Sequence, residues 1–191
     1  MDALESLIQI VPLPTPPVCN GNDSDWEVIE RILEMRLPVD FKKLINLYGT
    51  GCFFEFLYPL SPFAPFETSL NLLSGATKQR LSAYRSGRKE FPQYMPAFPA
   101  YPQESGLFPW GITVNGDTLF WLRQGQPEQW PTVVCNSKFT KETCERFDMT
   151  ATEFLHRLFS GKIEPEALPG DLLDMEHTFT PYSKSNSKEG N

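Results

Sequence analysis

The chain has 191 residues with 17 Lys and Arg against 24 Asp and Glu, a net charge of −7. That balance disfavours a binder of the nucleic-acid backbone, whose affinity comes from cations that displace counterions. Hydrophobic residues are 40% of the chain and the mean hydropathy is −0.32, with no run near the roughly 20 apolar residues of a spanning helix, so a transmembrane helix is excluded and one domain with a sizeable core and short tails is expected.

The first twenty residues carry acids but neither Lys nor Arg, so they lack the basic start of a secretory signal and a cytoplasmic protein is expected. Pro12, Pro14, Pro16 and Pro17 fix backbone angles and remove donors, marking residues 1–23 as a proline-rich leader. Ser24-Asp-Trp-Glu27 has capping-box spacing, so a helix is predicted from there, with Trp26, Ile29, Leu33 and Leu37 on one face and Glu27, Glu30 and Glu34 beside it. Pro38 closes this helix and opens the next, Val39 to Tyr48, which stops at Gly49. Cys52 to Tyr58, rich in aromatics between Gly51 and Pro59, reads as one strand. A third helix is predicted from Glu67 to about Lys89.

Asn115-Gly116 between two strand-like runs, Ile112–Val114 and Asp117–Leu122, predicts a tight type I′ hairpin, since that dipeptide accepts positive φ. A turn at Gly125-Gln-Pro127 precedes a strand from Trp130 to Cys135, and Thr143 to Met149 adds an edge strand. Thr150-Ala-Thr-Glu153 repeats the capping-box spacing ahead of Phe154, Leu155, Leu158 and Phe159, with Gly161 closing that helix. Helices, then a meander, then a helix predict an α+β domain over residues 24–163: a central, mostly antiparallel sheet with helices on one side. Residues 164–191 are expected to be a tail, frayed from Tyr182 onward.

Cys19, Cys52, Cys135 and Cys144 contain no C-x-x-C pair and His156 and His177 lie far from them, so free core thiols are favoured over a disulfide or zinc framework. No nucleophile elbow, zincin, phosphate-loop or dinucleotide motif occurs. No catalytic residue, metal or cofactor is therefore assigned, although a site assembled in space, for example from Glu55 and Asp117, stays open. His156 is expected to be an ordinary helix residue.

The succession Trp26-x-x-Ile-Glu30, Leu37-Pro-x-Asp-Phe41, Leu47-Tyr-Gly-x-Gly51, Gly106-Leu-Phe-Pro-Trp-Gly111, Asn115-Gly-Asp117, Trp121, Trp130-x-x-Val-Val134 and Glu153-Phe-Leu with Phe159-x-Gly161 resembles the SUKH superfamily. That superfamily contains bacterial immunity proteins and fungal Smi/Knr-type cell-wall regulators. The resemblance spans roughly residues 24 to 163; the Pro96–Pro102 insert and both tails lie outside it. It implies an α+β domain without catalytic residues that binds another protein. In an immunity protein the partner is a cognate toxin, such as a cytosolic-acting nuclease, which is blocked stoichiometrically; a scaffold or regulatory module without a toxin is the alternative.

The surface expected to face such a partner comprises Glu27, Glu30 and Glu34, together with Asp117 and Trp110, and neither nucleic acid nor membrane is an expected partner. An acidic face can mimic the polyanion that a basic nuclease cleft awaits. The acids and Asp117 also have plainer roles, as a solvated helix face with Glu27 beside Arg31 and as turn chemistry; Trp26, Trp121 and Trp130 read as core, whereas Trp110 reads as a loop residue beside Pro109. Lys78, Arg80, Arg85, Arg88 and Lys89 form the one basic concentration, read as a solvated helix face. The Pro-aromatic run from Phe91 to Pro109 reads as a long loop pinned by its aromatics, with recognition as its other use.

Overall fold

The computed structural model describes residues 2–184, and the chain beyond Lys184, where most of the expected frayed tail falls, lies outside the described residues. In chain order the elements are α1 (Ala3–Ile10), α2 (Asp23–Leu33), α3 (Val39–Tyr48), β1 (Gly51–Phe53), β2 (Leu57–Pro59), α4 (Gly75–Glu90), β3 (Leu107–Thr113), β4 (Thr118–Leu122), β5 (Thr132–Cys135), β6 (Cys144–Phe147), α5 (Ala151–Phe159) and β7 (Phe179–Pro181). The strands form one seven-stranded sheet in the order β6-β5-β4-β3-β2-β1-β7, antiparallel at every pairing. This is the expected α+β fold with a meander.

Side chains alternate across a strand, and on β4 they sort into two cores. Leu119 and Trp121 join a large cluster with residues of α1, α2, α3 and α5, whereas Phe120 and Leu122 join a smaller one with Tyr84 of α4, Met95 and Ala100. Four helices cover one face; α4 and the proline-rich segment cover part of the other. With both faces covered, β3, β4 and β5 are buried at every position. In the larger cluster Phe41 of α3 stands edge-on to Trp121 at 4.7 Å, and Trp110 meets Phe154 of α5 at 6.3 Å.

The flanking segments join this body. Asp2 caps α1 in a box with Glu5, and Leu4 and Leu7 are buried where α1 packs on α5. At the other end β7 pairs with β1, and Phe179 meets Phe53 at 4.8 Å and Tyr48 at 5.0 Å. The leader and tail expected outside residues 24–163 thus supply a helix and an edge strand to the same core.

Local chemistry moves several expected boundaries. Helix α2 is capped by Asn22, whose Oδ1 accepts from Ser24 and Asp25 N, while Asp25 Oδ2 accepts from Asn22 N at 3.0 Å. This box satisfies three donors and pulls the start ahead of Ser24. The helix ends at Glu34 in the left-handed conformation, φ 51, four residues before Pro38. The expected strand 52–58 is instead the β1–β2 hairpin, with Phe54 and Glu55 at positive φ in its turn. Helix α4 starts at Gly75, because buried Asn71 donates to Pro62 O and Ala64 O and accepts from Leu73 N, holding 61–73 in turns. The 115–116 hairpin is present with a different turn: Gly116 alone has positive φ (85), and Thr113 N donates to Asp117 O. That pattern is a type I turn followed by a left-handed glycine. Gly49 (φ 75) is required by space as well, since a Cβ there would lie 2.3 Å from Val18 O.

Candidate functional site

The expected partner-facing residues do not form one patch. Trp110 is 0% exposed, packed between Phe41, Trp121 and Phe154, because β3 is covered on both faces; it anchors the core and offers no surface. Asp117 is 5% exposed: its Oδ2 accepts from Thr113 Oγ1 at 2.7 Å, and its own N donates back to that oxygen at 3.2 Å. Burial raises its pKa, and the Thr113 bond offsets part of the rise. Asp117 is therefore the internal clasp of the β3–β4 turn.

Of the three glutamates on α2, Glu30 is also structural. Its Oε1 accepts from Leu37 N and from Lys42 Nζ, both at 2.8 Å, so it stitches α2 to α3 and to their connection. Glu27 and Glu34 are exposed, and Glu27 forms no ion pair with Arg31 among the described residues. Together with Asp23 and Asp25 they leave four acids on the outside of this helix.

The acids share that exterior with apolar residues the sequence reading passed over. Val28 and Ile32 are 49% and 60% exposed, one turn apart on α2. At 100° per residue they point away from the Trp26 and Glu30 side that faces α3. The signal was present in the sequence: residues 26–33 carry apolar side chains on more than one stripe, which a helix burying one face does not need. Phe66, 63% exposed, follows Phe63, whose ring packs edge-on against Trp26 at 4.9 Å.

The helix that carries this surface is held from several sides. Trp26 Nε1 donates to Asn46 Oδ1 at 2.7 Å, Tyr101 Oη donates to Leu33 O at 3.1 Å, and Glu30 binds Lys42. A fixed helix presenting apolar side chains among acids loses little conformational entropy when a partner covers it. Arg36 and its pair Glu128, 3.3 Å apart, lie just beyond the C-terminal end of α2.

Titratable groups converge at one other place. Glu153, His156, Arg157 and Lys162 line an open depression of about 480 Å³ with Ser6 of α1. Partial burial, then the charges of Lys162 and Arg157, lower the His156 pKa. Glu153 is paired with Arg157 at 2.9 Å, and the Ser6 hydroxyl donates to Asp2 O rather than toward His156.

The cysteines depart from expectation. Cys135 and Cys144, directly opposite each other on β5 and β6, form a disulfide; the antiparallel register brings their Cα atoms to 4.1 Å, within reach of a bond that nine residues of sequence separation do not reveal. Cys19 and Cys52 remain thiols, and burial pushes Cys52 up to about 12. No helix among the described residues is long and apolar enough to cross a membrane.

No family model matches the chain, and neither a characterised protein nor a solved structure is similar enough to it to be matched.

Proposed function

We propose that this chain is a protein-binding module of SUKH type, an immunity protein that neutralises a cognate toxin by covering it stoichiometrically. The observation that carries the reading is the outer side of α2, where Val28 and Ile32 stand exposed beside Arg31 and the acids Asp23, Asp25, Glu27 and Glu34 on a helix pinned by Trp26, Glu30 and Leu33. An apolar centre with a charged rim is the arrangement of protein interfaces, the centre supplying affinity and the rim steering the encounter. Fully burying a side chain such as Val or Ile contributes about 1.5–3 kcal/mol. Four acids against Arg31, the exposed cation of the same helix, leave that surface net negative, which suits a basic partner such as a nuclease.

On this reading the protein acts in the cytoplasm, where reducing pools oppose disulfides; the oxidation state of Cys135 and Cys144 after alkylation in intact cells reports the compartment. Co-expression with the product of the adjacent gene tests the function. The expected result is rescue of growth and a 1:1 complex by sedimentation, both lost on Ile32→Asp while the free protein keeps its fold. A neighbour that is not toxic and does not bind would remove the immunity reading. A complex indifferent to Ile32→Asp and Val28→Asp would move the surface elsewhere.

A further inference from the structure

On the other side of the sheet lies a surface of opposite charge. From Lys78 to Lys89, α4 carries five Lys and Arg and no acid. Beside its C-terminal end a depression of about 430 Å³ opens, within the size range of small-molecule sites. Pro92, Met95, Pro96 and Ala97 supply an apolar wall, Arg88 and Lys141 supply two cations, and no carboxylate lines it.

The chain around them holds the Arg88 guanidinium and the backbone of Lys141. Arg88 Nη1 donates to the carbonyls of Pro96, at 2.7 Å, and of Phe98, and the guanidinium also lies within hydrogen-bond reach of the Tyr84 hydroxyl. Lys141 is fixed through its backbone, whose N donates to Tyr94 O at 2.7 Å. The loop bearing it springs from the Cys135–Cys144 bond and is wedged by Phe139 against Tyr84 and Phe120. Among the described residues the ion pair of the Lys141 ammonium is a loose contact, 3.9 Å, with exposed Glu142.

We propose that this pocket binds an apolar monocarboxylate, its carboxylate between Arg88 and Lys141 and its aryl or acyl body on the Met95–proline wall. Two cations with no acid in the lining select an anion, and charge-assisted hydrogen bonds from a guanidinium edge suit a carboxylate. The apolar wall rewards a ligand with a body to bury, which a small hydrated ion lacks. The site is separate from the α2 surface and does not depend on the function proposed for it.

The test is a titration of the full chain with 2-naphthoate, followed by the methyl resonance of Met95, beside 2-naphthalenemethanol as the neutral isostere and acetate as the anion without a body. The expected result is saturable 1:1 binding of naphthoate at least tenfold tighter than either control. Ala97→Glu, at an exposed wall position, and Lys141→Glu each weaken it tenfold or more with the far-ultraviolet spectrum unchanged. Equal binding of the neutral isostere, an unmoved Met95 resonance at millimolar naphthoate, or wild-type affinity in Ala97→Glu would each overturn the proposal.

Discussion

Glu27 and Glu30 stand three residues apart on one helix, yet Glu30 accepts from Leu37 N and Lys42 Nζ while Glu27 faces solvent. Removing Glu30 leaves a half-buried ammonium and a backbone donor unpaired, so Glu30→Ala is expected to lower unfolding stability in urea by about 2 kcal/mol. Glu27→Ala is expected to stay within about 0.5 kcal/mol of wild type and, under the proposed function, to slow association with a basic partner, read by stopped flow at low salt. Asp117 gives a pH-dependent counterpart. Its folded-state pKa is raised by burial, so its contribution is fully present below the ordinary carboxylate value and is lost as pH rises through the folded one. At neutral pH the buried carboxylate costs stability. Asp117→Asn keeps an acceptor for Thr113 Oγ1 and removes the charge, so the variant should be the more stable at pH 7 and the advantage should vanish below pH 4, as urea unfolding across that range would show. A variant destabilised at pH 7 would mean that the charge, not the acceptor, holds the turn.

At the scale of elements, what the sequence made legible was local pairing of pattern and punctuation. Val39–Tyr48 between Pro38 and Gly49, and the apolar side of α5 behind Thr150, reappear with the expected bounds because caps and periodicity act within a few residues. The strand 52–58 failed for a physical reason: Phe54 is buried against Phe159 at 4.2 Å and stacked on His177 at 4.6 Å, contacts that let an aromatic occupy a left-handed turn position. Likewise Trp110 looked available because its burial is set by Phe41 of α3 and Phe154 of α5, far from it along the chain, and Asp117 because its Thr113 partner meets it only across the closed hairpin. The Cys135–Cys144 bond depends on register in the same way. It ties edge strand β6 to β5 across the loop that carries Phe139 and Lys141. Closing a loop of that length contributes about 2–3 kcal/mol in the chain-entropy account. Cys144→Ser is expected to lower stability by that amount, with amide exchange in 144–147 and 136–143 accelerating well before that of β3 and β4. Uniform acceleration across the sheet would instead make β6 part of a single cooperative unit.

For the whole molecule, the decisive feature is that the chain returns to close its own sheet. β1 is three residues long and would be an open edge if the chain ended after α5, offering Gly51–Phe53 to any passing strand. β7 covers it: Gly51, Cys52 and Phe53 align with Pro181, Thr180 and Phe179, and Tyr182 N donates to Thr50 O at 2.8 Å. Phe179 then completes an aromatic cluster with Tyr48 and Phe53, and Tyr48 Oη donates to Val11 O at 2.6 Å, linking the C-terminal strand to the chain just after α1. Both ends of the described chain therefore converge on α3 and β1, the same body that holds α2 in place. Phe179→Ala removes the ring but leaves the strand's backbone bonds, and about 3 kcal/mol of stability is expected to go with it. Truncation after Met175 removes both, so it should lower the thermal midpoint further and expose the β1 edge. The truncated protein is expected to self-associate in a concentration-dependent way by sedimentation velocity, while Phe179→Ala keeps the mass of the full chain. If the truncated protein matched Phe179→Ala in both stability and mass, β7 would act only by carrying one aromatic ring, and closure of the sheet would contribute nothing of its own.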